Sequence, residues 1–219
     1  MMNEGLSKFF SKVYMWMFIG LLTSGIVSYL VSSTASMAFV LNNYTIFALL
    51  EIIMVIVFVS LRKKASPTLA TILFLVYAAM NGATLSIIFL AYSIKSIVFV
   101  FIASALLYGA LALYGYITKK DLTNMGRLLF FGLIAIIIIS LINIFVGNSS
   151  LDIILSVVSI CVFLGLTAWD MQSLKMIYNY YSNDENELNK ASIYGALDLY
   201  LDFINIFLDL LRLFGRAKD

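Results

Sequence analysis

Between Val13 and Leu50 the chain carries no charged side chain. That run is too long for one membrane crossing, which takes about 20 residues, and it offers nothing to cover a water-facing surface. Its middle is polar at Ser32-Ser33-Thr34-Ala35-Ser36 and again at Asn42-Asn43, which divides it into two apolar segments near 13–31 and 44–61. Arg62-Lys63-Lys64 close the second segment. Ser66-Pro67 can open the next helix, because proline is tolerated in a first turn. The third segment covers 68–92, and Lys95 marks the turn before 96–117, which ends at Lys119-Lys120-Asp121. Segment 128–146 closes at Gly147-Asn148-Ser149-Ser150. Segment 152–174 gives way to a polar, acidic loop over 179–190, and the last segment is 191–214. The pattern predicts an all-α integral membrane protein, a bundle of seven transmembrane helices forming one domain over 1–219. β-Barrel strands would alternate and be about half as long.

Composition agrees. The chain is 63% hydrophobic and 12% charged, against about 25% charged in soluble domains. A net charge of +2 gives no reason to expect nucleic acid. The single cysteine, Cys161, excludes an intramolecular disulfide. Histidine is absent, which removes His-based catalysis, most zinc sites and the usual pH switch. Any response near neutral pH then falls mainly to carboxylates. Lys8 and Lys12 precede an apolar run too long for a signal-peptide core and lacking a small-residue cleavage site, so that run is read as the first span. Ten Lys and Arg fall on one side of the seven-span arrangement and four (Lys95, Arg212, Arg216 and Lys218) on the other. The N-terminus is therefore expected in the cytoplasm of a cell (plasma) membrane protein. The basic C-terminus leaves open a re-entrant last segment, with seven full spans the preferred reading.

Charges inside spans carry the functional signal, since each costs roughly 2.5–3.5 kcal/mol at a helix centre on insertion scales. Glu51, Asp170, Asp198, Asp202, Asp209 and Arg212 lie in or near spans. Spans two and seven run antiparallel. One register levels Glu51 with Arg212 and Arg62 with Asp202, predicting two interhelical ion pairs. Asp170 near the cytoplasmic end of span six and Asp202 on span seven are placed to approach each other. Two close carboxylates in a poor solvent share a proton, and such a dyad is a candidate pH sensor. The alternative is that each aspartate pairs separately, with Arg62 or Lys175. Asp198, one turn before Asp202, either lines the same vestibule or faces water. Asn81-Gly82-Ala83-Thr84 reads first as close helix packing through small residues. Tyr178, Tyr180 and Tyr181 read as an interfacial belt.

The segment from Ala196-Leu197-Asp198-Leu199-Tyr200-Leu201-Asp202-Phe203 to Ile204-Asn205-Ile206-Phe207 resembles the last-helix signature of the Bax inhibitor-1 family, and Leu210-Leu211-Arg212 with Phe214-Gly215 continue it. Trp169-Asp170-Met171-Gln172 is similar to that family's sixth-helix motif, Lys119-Lys120-Asp121-Leu122 to its loop after span four, and Asn81-Gly82 to its third-helix pattern. The short termini suit a bacterial member. The resemblance implies a seven-helix fold with a central last helix and a pH-sensitive calcium leak. It assigns the pH-sensing dyad to Asp170 and Asp202, a dyad partner to Arg62, and an acidic–basic pair to Glu51 and Arg212. Asp198 departs from the family pattern, where serine or another residue is common.

The expected function is thus a calcium leak channel gated by protonation of the dyad. Asp170 and Asp202 are candidates for transient Ca²⁺ contact, as hard cations take oxygen ligands. The alternatives are a proton-coupled transporter using the same acids as a relay, and a non-transporting regulator of a membrane protease or cell-death pathway. No nucleophile–base set or phosphate loop points to an enzyme. No cofactor is expected. Calcium is the permeant ion, and the expected partners are the lipid bilayer, calcium ions and protons.

Overall fold

In a computed structural model describing residues 4–218, the chain is all-helical, with no β-strand among the described residues. The helices are α1 (Glu4–Ser32), α2 (Ser36–Asn42), α3 (Tyr44–Ser60), α4 (Pro67–Leu85), α5 (Ile88–Ala91), α6 (Ile94–Ile117), α7 (Thr123–Val146), α8 (Ser149–Tyr181) and α9 (Glu185–Phe214). Among the described residues five stretches are long and apolar enough to cross a membrane: α1, α4 with α5, α6, α7 and α8. The pair α2–α3, bent by 78°, makes a sixth if counted as one broken span. The seventh expected span, α9, is a continuous helix that does not meet the same test. Asp198, Asp202, Asp209 and Arg212 lie within it and lower its hydropathy.

Several boundaries follow the expected local chemistry. Ser66 caps α4 by accepting the Leu69 amide at 3.2 Å, with Pro67 in the first turn. The polar stretch after α1 was expected to be a turn; it also holds the short helix α2. The acidic loop expected over 179–190 is mostly helical. α8 continues to Tyr181, and Asp184 caps α9 by accepting the Glu187 amide at 3.0 Å. Tyr178 is buried against Phe9, ring centroids 5.7 Å apart, whereas Tyr180 is exposed.

The chain forms two compact units. The first comprises Met1–Tyr92, Ile177–Tyr200 and Lys218–Asp219. Here α1 packs on α4 through small residues. Gly20, Ser24 and Ser28 are buried one turn apart on α1, and Ala70, Ala78 and Gly82 are buried on α4. Gly82 meets the Ser24 backbone so closely that no side chain would fit there. The first half of α9 brings Tyr200 edge-on to Phe74 and Tyr77, and Tyr194 onto Phe58 at 4.4 Å.

The second unit comprises Ser93–Met176 and Leu201–Ala217. Gly115 of α6 lies against the Ala168 backbone of α8, and Gly126 of α7 lies under the Trp169 ring. Phe203 of α9 stacks edge-on with Phe101 and Tyr108 of α6. The turn between α7 and α8 depends on Gly147, whose φ of 67° is left-handed. Asn143 ties that turn by donating to Asp152 Oδ1 at 2.6 Å and to the Asn148 carbonyl. Much of α7 is outward-facing and apolar, with Leu128, Ile144 and Phe145 strongly exposed. Lipid solvates such a surface; water does not.

Candidate proton-sensing site

Asp202 is a carboxylate in the wrong solvent. It lies in the middle of α9, flanked by Leu199, Phe203 and Ile206, all buried, and is itself 4% exposed. Its Oδ2 stands 3.1 Å from the hydroxyl of Thr167 on α8, which is fully buried. That hydroxyl also lies 2.8 Å from the Phe163 carbonyl one turn back. A hydroxyl has a single proton, so its use depends on Asp202. With Asp202 ionised, Thr167 donates to it. With Asp202 protonated, the acid can donate to Thr167, whose own proton then goes to Phe163. Both protonation states therefore find hydrogen-bond partners without moving a backbone.

Asp170 is three residues beyond Thr167 on α8, on the same helix face. The Thr167–Asp202 hydrogen bond thus sets Asp170 one helical turn from the side chain that touches Asp202. Asp170 is half-buried. Its stretch of α8 is held from both sides by the close approaches at Ala168 and Trp169, and by Gln172, which accepts from the Leu122 amide and donates to the Lys120 carbonyl.

Arg62, expected to serve the dyad, is engaged one helical turn away. Its Nη2 donates to Asp198 Oδ2 at 2.9 Å, and its guanidinium lies over the Tyr194 ring, 5.3 Å from the centroid. Both partners are on the first half of α9. The register that levelled Arg62 with Asp202 is off by one turn, because a long arginine side chain reaches along a helix as well as across to it. Asp198, left open between vestibule and water, is an ion-pair residue.

Glu51 and Arg212, expected to pair with each other, take other partners. Glu51 on α3 accepts from Thr84 Oγ1, and from Asn81 Nδ2 at 3.2 Å, both on α4. Asn81 Oδ1 in turn accepts from the Tyr200 hydroxyl at 2.7 Å, and that hydroxyl stands 2.7 Å from Ser24 Oγ on α1. Arg212 donates to Ser156 on α8 at 3.2 Å and lies 3.9 Å from Asp209 one turn back. Ser156 and Ser159 hydrogen-bond the Asp209 carboxylate. Neutral hydroxyls and amides thus meet Glu51, and a serine shares Arg212 with Asp209. Thr167, Ser24 and Ser156 carry no charge and gave no signal in the sequence, and Tyr200 stood in the last-helix signature without a role of its own. Asn81 and Thr84 did stand out, but as packing residues; both hydrogen-bond Glu51, while Gly82 packs against Ser24.

A sequence profile of the family described as "Inhibitor of apoptosis-promoting Bax1" matches residues 6–219. The inner membrane protein YbhL of Escherichia coli K12 is 40% identical over 221 residues, covering 99% of this chain and 94% of its own length. A protein of Borreliella burgdorferi is 39% identical over 218 residues, covering 97% and 94%. A membrane protein of Streptococcus pyogenes serotype M1 is 36% identical over 220 residues, covering 98% and 95%.

Proposed function

This chain belongs to the Bax inhibitor family, and from that premise we propose that it is a calcium leak channel of the cell membrane, gated by protonation of Asp170 and Asp202. The observation that carries this reading is the buried Asp202 with its reversible hydroxyl partner Thr167. A carboxylate so placed is costly unless it serves ion or proton passage, and this one has hydrogen-bond partners in either protonation state. Without histidine, carboxylates are the groups left to respond near neutral pH. Calcium passes as the permeant ion, drawn by carboxylate oxygens. The protein is not an enzyme in this reading and holds no cofactor; its surroundings are the bilayer, calcium ions and protons.

The reading takes α9 as a seventh span, shielded from lipid by its neighbours, and sets the N-terminus in the cytoplasm. Burial of most residues from Ser192 to Leu211 supports the first point. A helix that carries three aspartates and an arginine can cross a bilayer when its polar groups face protein. The Lys and Arg asymmetry supports the second.

Calcium flux into liposomes that hold the purified protein, followed over about two pH units around neutrality, tests the function. The parent is expected to show pH-dependent flux. Asp202→Asn and Asp170→Asn, which cannot ionise, are expected to flatten the profile. Parent-like profiles in both variants would remove the pair as sensor, and no flux from the parent at any pH would remove the leak itself.

A further inference from the structure

The first unit carries a groove of about 330 Å³ lined by α1, α4 and the start of α9. Its walls are built in two tiers from residues four apart, each pair on one helix face. Lys12 and Trp16 come from α1, Thr68 and Ile72 from α4, and Asn189 and Ile193 from α9. In each pair the residue nearer the helix start is polar, and the residue one turn further in is aliphatic or aromatic.

The polar tier is a set of donors. Lys12 Nζ donates to Asn189 Oδ1. That uses one of the three ammonium hydrogens and leaves the Asn189 amide nitrogen as a further donor. No carboxylate lines the groove, so the lysine charge meets a neutral amide there. Thr68 is exposed in the first turn of α4, beside Pro67, which has no amide hydrogen to give. In the deeper tier Thr71 gives its hydroxyl to the Pro67 carbonyl at 3.0 Å. That level is left with apolar walls: Trp16 half-buried, Ile72 exposed and Ile193 buried.

A small soluble anion would fill the polar tier and leave the apolar one to water. An amphiphile with an anionic head fills both, its chains running on past Ile72 into the bilayer. Basic pockets between helices at the membrane boundary take such headgroups, and tryptophan is suited to the same boundary. We propose that this groove binds one anionic phospholipid, with its phosphate at Lys12, Thr68 and Asn189 and its acyl chains against Trp16, Ile72 and Ile193. A lipid so held clasps α1, α4 and the first half of α9, all within one compact unit. The site does not rest on the calcium reading, which concerns Asp170 and Asp202.

Tryptophan fluorescence of the full chain in phosphatidylcholine vesicles tests the site, with lipids brominated on their acyl chains as quenchers. Tryptophan stands at positions 16 and 169 only. Trp169→Phe leaves Trp16 as the sole reporter, and Trp169 Nε1 makes no hydrogen bond among the described residues that the change would remove. In that background, brominated phosphatidylglycerol is expected to quench Trp16 at roughly a fifth of the mole fraction that brominated phosphatidylcholine needs, the preference one lysine gives beside an anionic headgroup. Lys12→Gln is expected to abolish the preference and Lys12→Arg to keep it. Thr68→Glu puts a carboxylate in the groove at an exposed first-turn position, where helices accept one. It is expected to abolish the preference with the fold intact. Lys63→Gln and Lys64→Gln together remove exposed charges outside the groove, and are expected to keep it. Equal quenching by the two lipids in the background chain would overturn the proposal. So would a preference that survives both Lys12→Gln and Thr68→Glu, or one lost with Lys63 and Lys64, which would mark a diffuse attraction to the surface. Relief of quenching by millimolar inorganic phosphate would make the ligand a free anion and overturn the lipid.

Discussion

Arg62 is held by two unlike groups, the Asp198 carboxylate at 2.9 Å and the face of Tyr194 at 5.3 Å. The ion pair is only partly shielded, with side chains 41% and 31% exposed. Such a pair contributes about 1 kcal/mol or less, and a cation–π contact at a similar site about 0.5–1 kcal/mol. Asp198→Asn is therefore expected to destabilise the purified protein by about 1 kcal/mol or less, and Arg62→Met by roughly twice as much, because it removes both contacts. A double-mutant cycle read by thermal unfolding in detergent checks this. No coupling between positions 62 and 198 would mean that the ion pair adds nothing. At this scale the sequence displayed the charges and concealed their neighbours. Levelling two antiparallel helices by residue number fixes depth to about one turn, or 5.4 Å. An arginine side chain covers that distance, so residue numbers alone do not separate Asp198 from Asp202 as its partner. Glu51 and Arg212 failed for another reason. Glu51 meets threonine and asparagine, and Arg212 meets a serine besides Asp209 one turn back; serine, threonine and asparagine are so frequent in helices that their positions single out no partner.

Among the elements, α8 is positioned by contacts that leave no room for a Cβ. Gly115 of α6 faces the Ala168 backbone. A backbone cannot swing aside as a side chain can, so Gly115→Ala must push α6 from α8. Overpacking of this kind costs about 1–3 kcal/mol. The variant is expected to unfold at lower temperature than the parent, and an unchanged midpoint would show that the two helices separate freely. Next to this contact, the loop from α6 to α7 ends on Asp121, whose Oδ1 accepts the Thr123 amide at 2.9 Å. Hydrogen bonds from the Thr123 hydroxyl and amide hold the Asp121 carboxyl below its usual range. A depressed carboxyl stabilises the fold above its unfolded value, near 3.9, and that contribution is lost as pH falls through the lower folded value. The Thr123 amide is therefore expected to stay protected from hydrogen exchange through the mildly acidic range, and to lose protection only under stronger acid. Asp121→Ala is expected to lose it at all pH values. Equal protection in parent and variant would remove the cap. Element existence was legible throughout, because apolar runs closed by basic clusters, Ser-Pro or Gly-Asn follow directly from solvation and capping. The ends of α8 and the start of α9 were not. Tyr178 and the acidic residues 184–187 read as interface and loop, yet one packs on Phe9 and the others cap and open a helix.

Whole-molecule topology turns on α9. The other long helices announce themselves by hydropathy, whereas α9 is polar enough to be mistaken for a soluble segment. The burial of most of its residues reconciles the two properties: a helix packed against protein need not be apolar on every face. If α9 crosses and the N-terminus is cytoplasmic, the connections alternate sides. The turn between α7 and α8 then faces outward, and the turn between α8 and α9 faces the cytoplasm. Cys161 is exposed, so it must first be replaced, as Cys161→Ala, to give a silent background. Single cysteines at Ser149 and Ser182, written Ser149→Cys and Ser182→Cys, report the two turns; both serines are exposed in the fold. A membrane-impermeant maleimide applied to intact cells is expected to label position 149 and to reach position 182 only after permeabilisation. A third probe at Lys218→Cys reads α9 itself. It is expected to be labelled from outside if α9 spans fully, and only after permeabilisation if α9 turns back. The reverse pattern at 149 and 182 would invert the orientation read from the basic residues. Labelling of both from the same side would mean that α8 does not cross, and six or seven spans would then be too many. Outside labelling at 149 with protected 182 and 218 would keep the orientation and make α9 re-entrant, a helix whose aspartates enter from the cytoplasm and return there. That outcome would replace a gate on a spanning helix with one on a re-entrant hairpin.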